Sequence, residues 1–468
     1  MKISKSGYSA LPLLPLVIFL LIGLPTLAQA QVNCLFTQIT DTSEGDNIRP
    51  GISSEGTRIA FSSSNDLTGE NPDGNDEVFL FDTSSSSFTQ ITDSTGGVLN
   101  SSFRLSLNSD GTKISFMSNR DLAGDNADEN DEIFLFDTNS MALTQITDST
   151  GDATRRPAIN SDGTKIALES EDDLTGGNPG THAQIFLFDS NSAMITQITN
   201  STGPSSFRPS INSDGTRIAF DSLFDFTGDN ADNNNEIFLF DANTMMFTQI
   251  TDTTAGNTRT PSINSDGTRI AFRSGADLTG ENPDGNDEIF LFDTNSMVVS
   301  QITDSTGDLS FGGQTPNNGN PSINSDGTRI AFESNRDLSA EDMFGTDIYL
   351  FDADSMMLTQ ITKNDDFGNQ ANINPSISSD GSRIAFQSTG DPLGENPDHN
   401  FEIFLAQCFE GNLPGDATAD GEINILDVTA ILNDILGISP APGNGDCNED
   451  LVVNILDVTC VLNIILGV

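Results

Sequence analysis

"PSINSDGTRIAF", residues 261–272, decides the fold. Pro261 opens a short extended segment, Asp266-Gly267 supplies a tight turn because glycine tolerates positive φ, and residues 269–272 alternate polar with apolar as a half-buried strand does. The turn and the strand after it recur, with small changes, around Gly56, Gly111, Gly163, Gly215, Gly267, Gly327 and Gly381, at spacings of 55, 52, 52, 52, 60 and 54 residues. Further along each unit comes an apolar run: "EVFLFD" at Glu77, "EIFLFD" at Glu132, Glu236 and Glu288, "QIFLFD" at Gln184, "DIYLFD" at Asp347 and "EIFLAQ" at Glu402. Every run but the last is followed by a short polar turn, such as Thr294-Asn295-Ser296, and then by "TQIT" or "SQIT". Residues 289–292 are apolar on both faces, as expected of a strand sandwiched between neighbouring sheets. Four strands per unit at a steady period predict a mostly β chain folded as a seven-bladed β-propeller, whose blades bury their faces only against each other.

Seven first halves but only six complete units leave the last blade one strand short. Residues 36–40, "FTQIT", are the missing piece, so the N-terminal strand is expected to close the ring by joining the C-terminal blade. Aligned to the first complete blade, Cys408 falls on the position of Thr83 and Cys34 on that of Ser86, the two ends of a tight hairpin turn. Turn ends lie close enough for a disulfide, so Cys34–Cys408 is expected to replace the covalent turn this blade lacks.

Residues 1–30 carry Lys2 and Lys5, an apolar run over 11–24, and Ala28-Gln29-Ala30, the pattern of a signal peptide with its cleavage site. Val32-Asn33 lacks the small residues that precede a lipidated cysteine, which favours release, and no second long apolar stretch follows. The remaining chain holds 17 basic residues against 69 acidic ones. Such a surface repels nucleic acid and anionic membranes, favours divalent cations or basic partners, and keeps a secreted protein soluble. Four cysteines in an oxidising compartment point to two disulfides.

The repeat, "SDGTRIAFRS" followed by "NPDGNDEIFLFD" and "SQIT", resembles the TolB-type, WD40-like (PD40) propeller repeat over residues 31–408. That resemblance implies a fold and leaves the activity open, since the family spans periplasmic binding proteins and the propeller domains of peptidases. TolB-like propellers have six blades, so seven copies here set up a test of blade number.

After a linker at 409–414 the composition changes: "GDATADGEINILDVTAILNDILG" and "GDCNEDLVVNILDVTCVLNIILG" repeat one loop-plus-helix unit. Asp416, Thr418, Asp420, Asn424 and Asp427 take positions 1, 3, 5, 9 and 12 of a calcium loop, with the Glu422 carbonyl at position 7 and Gly421 at the sharp turn. Asp446, Asn448, Asp450, Asn454 and Asp457 repeat the set with the Val452 carbonyl, but Leu451 replaces the glycine, which predicts a weaker second site. The pair resembles a type I dockerin over residues 415–468, a small α-helical module of paired EF-hand-like loops that docks onto a cohesin. The resemblance places partner recognition on Ile425 and Leu426 and on Ile455 and Leu456, against the alternative that the four pack the module's own core. Repetition of the same pair would permit docking in either of two orientations. Cys447 and Cys460 are expected to bridge loop to helix in the second copy.

Catalysis has little footing. His182 and His399 are the only histidines and neither has a repeated nucleophile nearby, which speaks against a triad. Two carboxylates for glycoside hydrolysis are easily found among so many acids, yet the chain past residue 30 has no Trp and only Tyr349 for stacking sugar rings. Two repeated features offer binding instead. The loop "GENPDGNDE", residues 69–77, places Asn71, Asp73, Asn75 and Glu77 at alternate positions, suiting either calcium or turn capping. Arg49, Arg104, Arg156 and Arg208, with Arg259 one residue displaced, stand at the start of first strands, near a propeller's channel, where they would meet an anionic ligand or neighbouring acids.

These readings combine into a secreted, calcium-binding protein: a propeller that presents a recognition surface, and a dockerin that tethers it to a cohesin-bearing scaffold or cell surface. The alternative is a hydrolase, a glycoside hydrolase foremost, recruited by the same module to polysaccharide or peptide breakdown.

Overall fold

The computed structural model of the chain describes residues 32–410, apart from 96–103, 152–153, 181, 255, 306–317, 337, 339–344, 364–369, 391–392 and 394–395. It also describes residues 415–466, apart from 419–422, 424, 439 and 449–451. The proposed signal peptide lies outside the described residues.

Seven four-stranded antiparallel sheets form, one per repeat. Blade 5 is representative, with strands Thr258–Ile263, Arg269–Ser274, Glu288–Asp293 and Val298–Gln301 paired in sequence order. First strands of neighbouring blades touch one another around a closed cycle, which makes them the innermost strands. Second and third strands fill the space between blades, so Ile270, Phe272, Ile289 and Phe290 are fully buried. The apolar run of the third strand follows from that position, covered on both faces.

Two repeated devices bind blade to blade, and a third ties each blade's outer end together. Around the channel, Ser54 N–H donates to the Ser109 carbonyl at 2.8 Å, and the same bond passes through Ser161, Ser213, Ser265, Ser325 and Ser379 until Ser379 N–H donates to Ser54 O at 2.9 Å. The basic residue of the second strand reaches the next blade's turn: Arg217 Nη1 donates to Gly267 O at 2.9 Å and Arg269 Nη1 to Gly327 O at 3.0 Å. Glycine in that turn is required twice over, because Gly267 has φ +72° and a Cβ there would stand 2.5 Å from Arg217 Cδ. The acid heading the third strand, Glu77 in blade 1, is buried and holds the chain just past the fourth strand, Ser87–Gln90, of its own blade. Thr92 Oγ1 donates to its carboxylate, as do Ser94 N–H at 2.7 Å and Ser94 Oγ at 2.6 Å.

The N-terminal strand Val32–Gln38 is the fourth strand of blade 7, beside Glu402–Glu410. Cys34 and Cys408 are bonded, as the alignment of blades predicts. Their setting differs from the expected turn ends. The two residues face each other directly in the ladder, Cα to Cα 4.0 Å, and pairing continues past them through Asn33 with Phe409 to Val32 with Glu410. Two separate chain ends need no turn, so the strands run on, and the last strand passes two residues beyond 408.

Helices Ile425–Ile435 (α1) and Ile455–Leu466 (α2) pack against each other in the C-terminal segment. Val428 and Ile431 of α1 and Val458 and Val461 of α2, three apart in each case, make its core with Ala417 and Cys447. Cys447 and Cys460 are bonded, loop to helix. Among the described residues no helix is long and apolar enough to cross a membrane.

Candidate functional site

Two places bring chemistry-bearing residues together: the end of the channel where first strands begin, and the helical pair. At the channel end, six of the seven first strands hold a non-glycine residue at positive φ just before a proline: Arg49, Arg156, Arg208, Thr260, Asn320 and Asn374. Each sits at a bulge, where pairing with the second strand skips, as between Ile48 and Gly51 in blade 1. Such a conformation costs about 1–2 kcal/mol per residue. Neighbouring blades help hold it. Glu169 accepts Arg208 N–H at 2.8 Å, Glu333 accepts Asn374 N–H at 2.8 Å, and Gln387 accepts Arg49 N–H at 2.6 Å, the last across the ring closure.

Four of the five arginines singled out in the sequence occupy this ring. Arg104 holds the corresponding place in blade 2, where no proline follows and the strand, Leu105–Leu107, is short. Arg259 does not. Thr260 fills the slot of blade 5, and Arg259 stands opposite Arg273 in the sheet, because alternation turns consecutive residues to opposite faces. It remains close enough to Arg208 and Arg273 that, after loss of surrounding water, their charges lower its pKa.

Second-strand residues answer the arginines unequally. Arg156 Nη1 meets Glu169 at 2.5 Å and Arg208 Nη1 meets Asp221 at 2.8 Å. Asp221 is fully buried, and that burial, only partly opposed by Arg208, pushes its pKa up to about 6. Asn320 and Asn374 donate to Glu333 at 2.9 Å and Gln387 at 3.0 Å. Arg104 keeps solvent access inside the concave mouth, yet loss of bulk water and then the charges of Arg156 and Arg49 bring its pKa down to about 10. A guanidinium is charged at neutral pH in either case. Carboxylates of this ring are thus engaged by arginine or asparagine, which leaves the glycoside-hydrolase expectation without a free pair of acids among Glu169, Asp221 and Glu333.

The blade loops read as structure. Asn71 donates to Asn75 O at 2.9 Å, Asn75 donates to Ser94 O at 2.7 Å, and Glu77 is the buried acceptor already described, while Asp73 faces solvent. The N–H groups of Asn71 and Asn75 thus cap the loop, while the buried Asn75 Oδ1 has no hydrogen-bond partner. His182 and His399 lie in the same loops, with His399 Nδ1 3.1 Å from the Thr389 carbonyl. No group of three or more His, Cys, Asp and Glu with metal-holding geometry occurs among the described residues.

In the helical segment, Thr418 Oγ1 lies 2.9 Å from Asp427 and 3.4 Å from Asp416, so side-chain oxygens from positions 1, 3 and 12 of the first loop converge. Asp420, Glu422 and Asn424 lie outside the described residues, as does Asp450 of the second loop. There Asp457 accepts the N–H groups of Cys447 at 2.9 Å and Asn448 at 3.2 Å, Asp446 is half-buried, and the Val452 carbonyl accepts the Asn454 amide at 2.9 Å. Asn454 and Asp457 also cap α2 reciprocally: Leu456 N–H donates to Asn454 at 2.8 Å and Asn454 N–H to Asp457 at 2.7 Å. Asp416, Asp427 and Asp457 are buried, and residues 415–468 include no lysine, arginine or histidine. Hard oxygen donors without a basic residue in their own segment fit a calcium ion's chemistry. Ile425 and Leu426 are 60% and 58% exposed, Ile455 and Leu456 60% and 57%. These four are therefore outside the module's core.

No protein-family model and no curated protein matches the chain. Among solved structures, an oligogalacturonate lyase from Vibrio parahaemolyticus matches at 13% identity and a TM-score of 0.52, over 81% of this chain and 98% of that one. The β-propeller domain of the Trilobed protease from Pyrococcus furiosus, described as having an open velcro topology, matches at 14% identity and 0.50, over 79% and 96%. Here the ring is closed by the N-terminal strand. TolB from Acinetobacter baumannii matches at 16% identity and 0.40, over 81% and 80%. Likeness at these identities establishes a β-propeller and nothing of its activity, and the neighbours give a glycoside hydrolase no support.

Proposed function

We propose that this is a secreted recognition protein: the propeller binds a ligand at its arginine-bearing mouth, and the C-terminal helical pair is a calcium-loaded dockerin that tethers it to a cohesin-type partner on a scaffold or cell surface. The single observation that carries the tether is the equal exposure of Ile425-Leu426 and Ile455-Leu456 at the same station of two like helices. Exposed apolar pairs that a small core does not use are what a docking face needs. Calcium, held by Asp416, Thr418, Asp420, Asn424, Asp427 and the Glu422 carbonyl in one loop, and by Asp446, Asn448, Asp450, Asn454, Asp457 and the Val452 carbonyl in the other, would supply the charge that its buried carboxylates call for. The signal peptide at 1–30, two disulfides and a strongly acidic surface support an extracellular location.

The test is surface-binding of the full chain to a panel of cohesins in calcium and in chelator. Replacing both residues of one pair by serine should leave docking through the other, while replacing all four should abolish it. Retained binding in the fourfold variant, or no cohesin bound in calcium, would sink the tether.

A further inference from the structure

We propose that blades 1 and 2 of the mouth form a site for the anionic oxygen group, carboxylate or phosphate, of a small ligand. This rests on reading the propeller as a recognition surface and is independent of the helical pair. Blades 3, 4 and 6 each set an acid on the second strand against the residue of the strained slot: Glu169 with Arg156, Asp221 with Arg208, Glu333 with Asn320. Blade 7 does so with a neutral pair, and blade 5 reverses the order, its second-strand Arg273 pairing with Asp287 at 3.6 Å. Blades 1 and 2 keep the arginine and drop the acid. The positions of Glu169 and Asp221 are held there by Ser62 and Met117.

The consequences appear in the hydrogen bonds. Neither Arg49 nor Arg104 has an ion pair within 4.0 Å among the described residues. Arg49 Nη1 is shielded from solvent and makes no hydrogen bond, and the same holds for the buried Ser62 hydroxyl of its own blade and for Arg156 Nε beyond. A shielded guanidinium donor left unmatched is costly, and a chain with 69 acids had ample means to match it. The acid acting most strongly on Arg49 is Asp76, itself under the influence of Asp46 and Arg120. Mutual repulsion among Arg49, Arg104 and Arg156 is what an incoming oxyanion relieves, since a planar guanidinium fork accepts carboxylate or phosphate oxygens through parallel N–H bonds. The rest of the surface limits the ligand's size. A long polyanion would leave the mouth and meet the acidic exterior, whereas a ligand with one or two charges would not.

The test is titration calorimetry on the full chain at low salt with digalacturonate as carboxylate probe, inorganic phosphate as phosphate probe and cellobiose as neutral control. One of the two anions should bind one per chain and cellobiose should not, and whichever binds identifies the source. Affinity should fall at least tenfold in Arg49→Gln and in Arg104→Gln. It should fall likewise in Met117→Glu, which gives blade 2 the acid that blades 3, 4 and 6 carry, and melting temperatures would confirm that each variant is folded. If Met117→Glu does not fold, the exposed Arg104 still decides. Binding that is unchanged in both arginine variants would overturn this site and leave the mouth a recognition surface elsewhere on its ring. No heat from either anion would overturn the site and, with it, anion recognition by the mouth.

Discussion

The carboxylate of Glu402 accepts the backbone N–H of Thr42 at 2.8 Å and its hydroxyl at 2.6 Å, across a sequence separation of 360 residues. It is the bond that Glu77 makes to Ser94 inside blade 1, here made between the two ends of the propeller. Hydrogen bonds to a charged group are worth about 1.5–3 kcal/mol each, so Glu402→Ala should cost several kcal/mol and loosen the ring at its seam. Gln184 stands naturally in the same slot of blade 3, where it accepts from Thr199 at 2.7 Å. Glu402→Gln should therefore cost much less than Glu402→Ala in urea denaturation. Equal losses for the two would mean that the slot needs the charge rather than the hydrogen bonds.

The disulfide at the same seam restrains a separation of 374 residues, against 13 for Cys447–Cys460. In the chain-entropy model the long loop is worth about 6 kcal/mol, an upper bound, and the short one about 3 kcal/mol or less. Cys34→Ser with Cys408→Ser should lower the melting temperature by more than Cys447→Ser with Cys460→Ser, and brief proteolysis should then cut the N-terminal strand first. A propeller as stable and as resistant without its seam bond would show that Phe36 and the strand ladder alone hold the ring.

That seam is legible in the sequence because the repeat is long and regular: a missing "TQIT" in blade 7 and a spare one at 37–40 leave one arrangement. The ring of arginines is legible only in part. Counting along the chain places Arg259 in it, whereas alignment on the following proline, Pro50, Pro157, Pro209, Pro261, Pro321 and Pro375, selects Thr260. What answers each arginine is hidden altogether, since Glu169 and Asp221 differ from Ser62 and Met117 by one residue in a strand whose pattern is otherwise constant. Nor can the blade loop reveal which of its oxygens is buried. Glu77 is sheltered by Thr92 and Ser94, in a segment just past the fourth strand that only the folded blade brings back to it.

Acidity should stabilise this protein down to mildly acid pH. Burial raises the pKa of Glu77, Glu132, Glu236, Glu288, Glu333 and Glu402, and of Asp221 to about 6. A carboxyl whose folded pKa exceeds its unfolded one takes up protons more readily when folded, so stability grows as pH falls through the folded value toward the unfolded one. Turn aspartates such as Asp293 and Asp352 are shifted the other way, Asp293 chiefly by backbone N–H bonds, and their contribution is lost at still lower pH. The urea midpoint should be higher at pH 5 than at pH 7.5, and Asp221→Asn should flatten that slope. Because overall repulsion among 69 acids also eases with acid, the difference between wild type and Asp221→Asn is the reading that counts; an unchanged slope would mean that Asp221 is not protonated in this range.

Calcium stoichiometry divides the molecule. If the ion is confined to the two loops of the helical pair, titration of the full chain should give close to two sites, and the second should be weaker because Leu451 stands where the first loop has Gly421. Asp427→Ala should remove the first site, since Asp427 is buried and gathers Thr418 beside it. Asp457→Ala should remove the second and also destabilise α2, because Asp457 holds the Asn454 cap by about 1 kcal/mol. Chelator separates these two losses: a cap made by Asp457 through hydrogen bonds alone needs no ion, so Asp457→Ala should still lower helicity relative to wild type in chelator. Equal helicity there would mean that the ion, and not the cap, sets the start of α2. A clear excess over two sites would place calcium in the blade loops as well. That result would turn attention to the buried Asn75 Oδ1, which has no hydrogen-bond partner, since the amide N–H groups of Asn71 and Asn75 and the carboxylate of Glu77 are already hydrogen-bonded to their own blade.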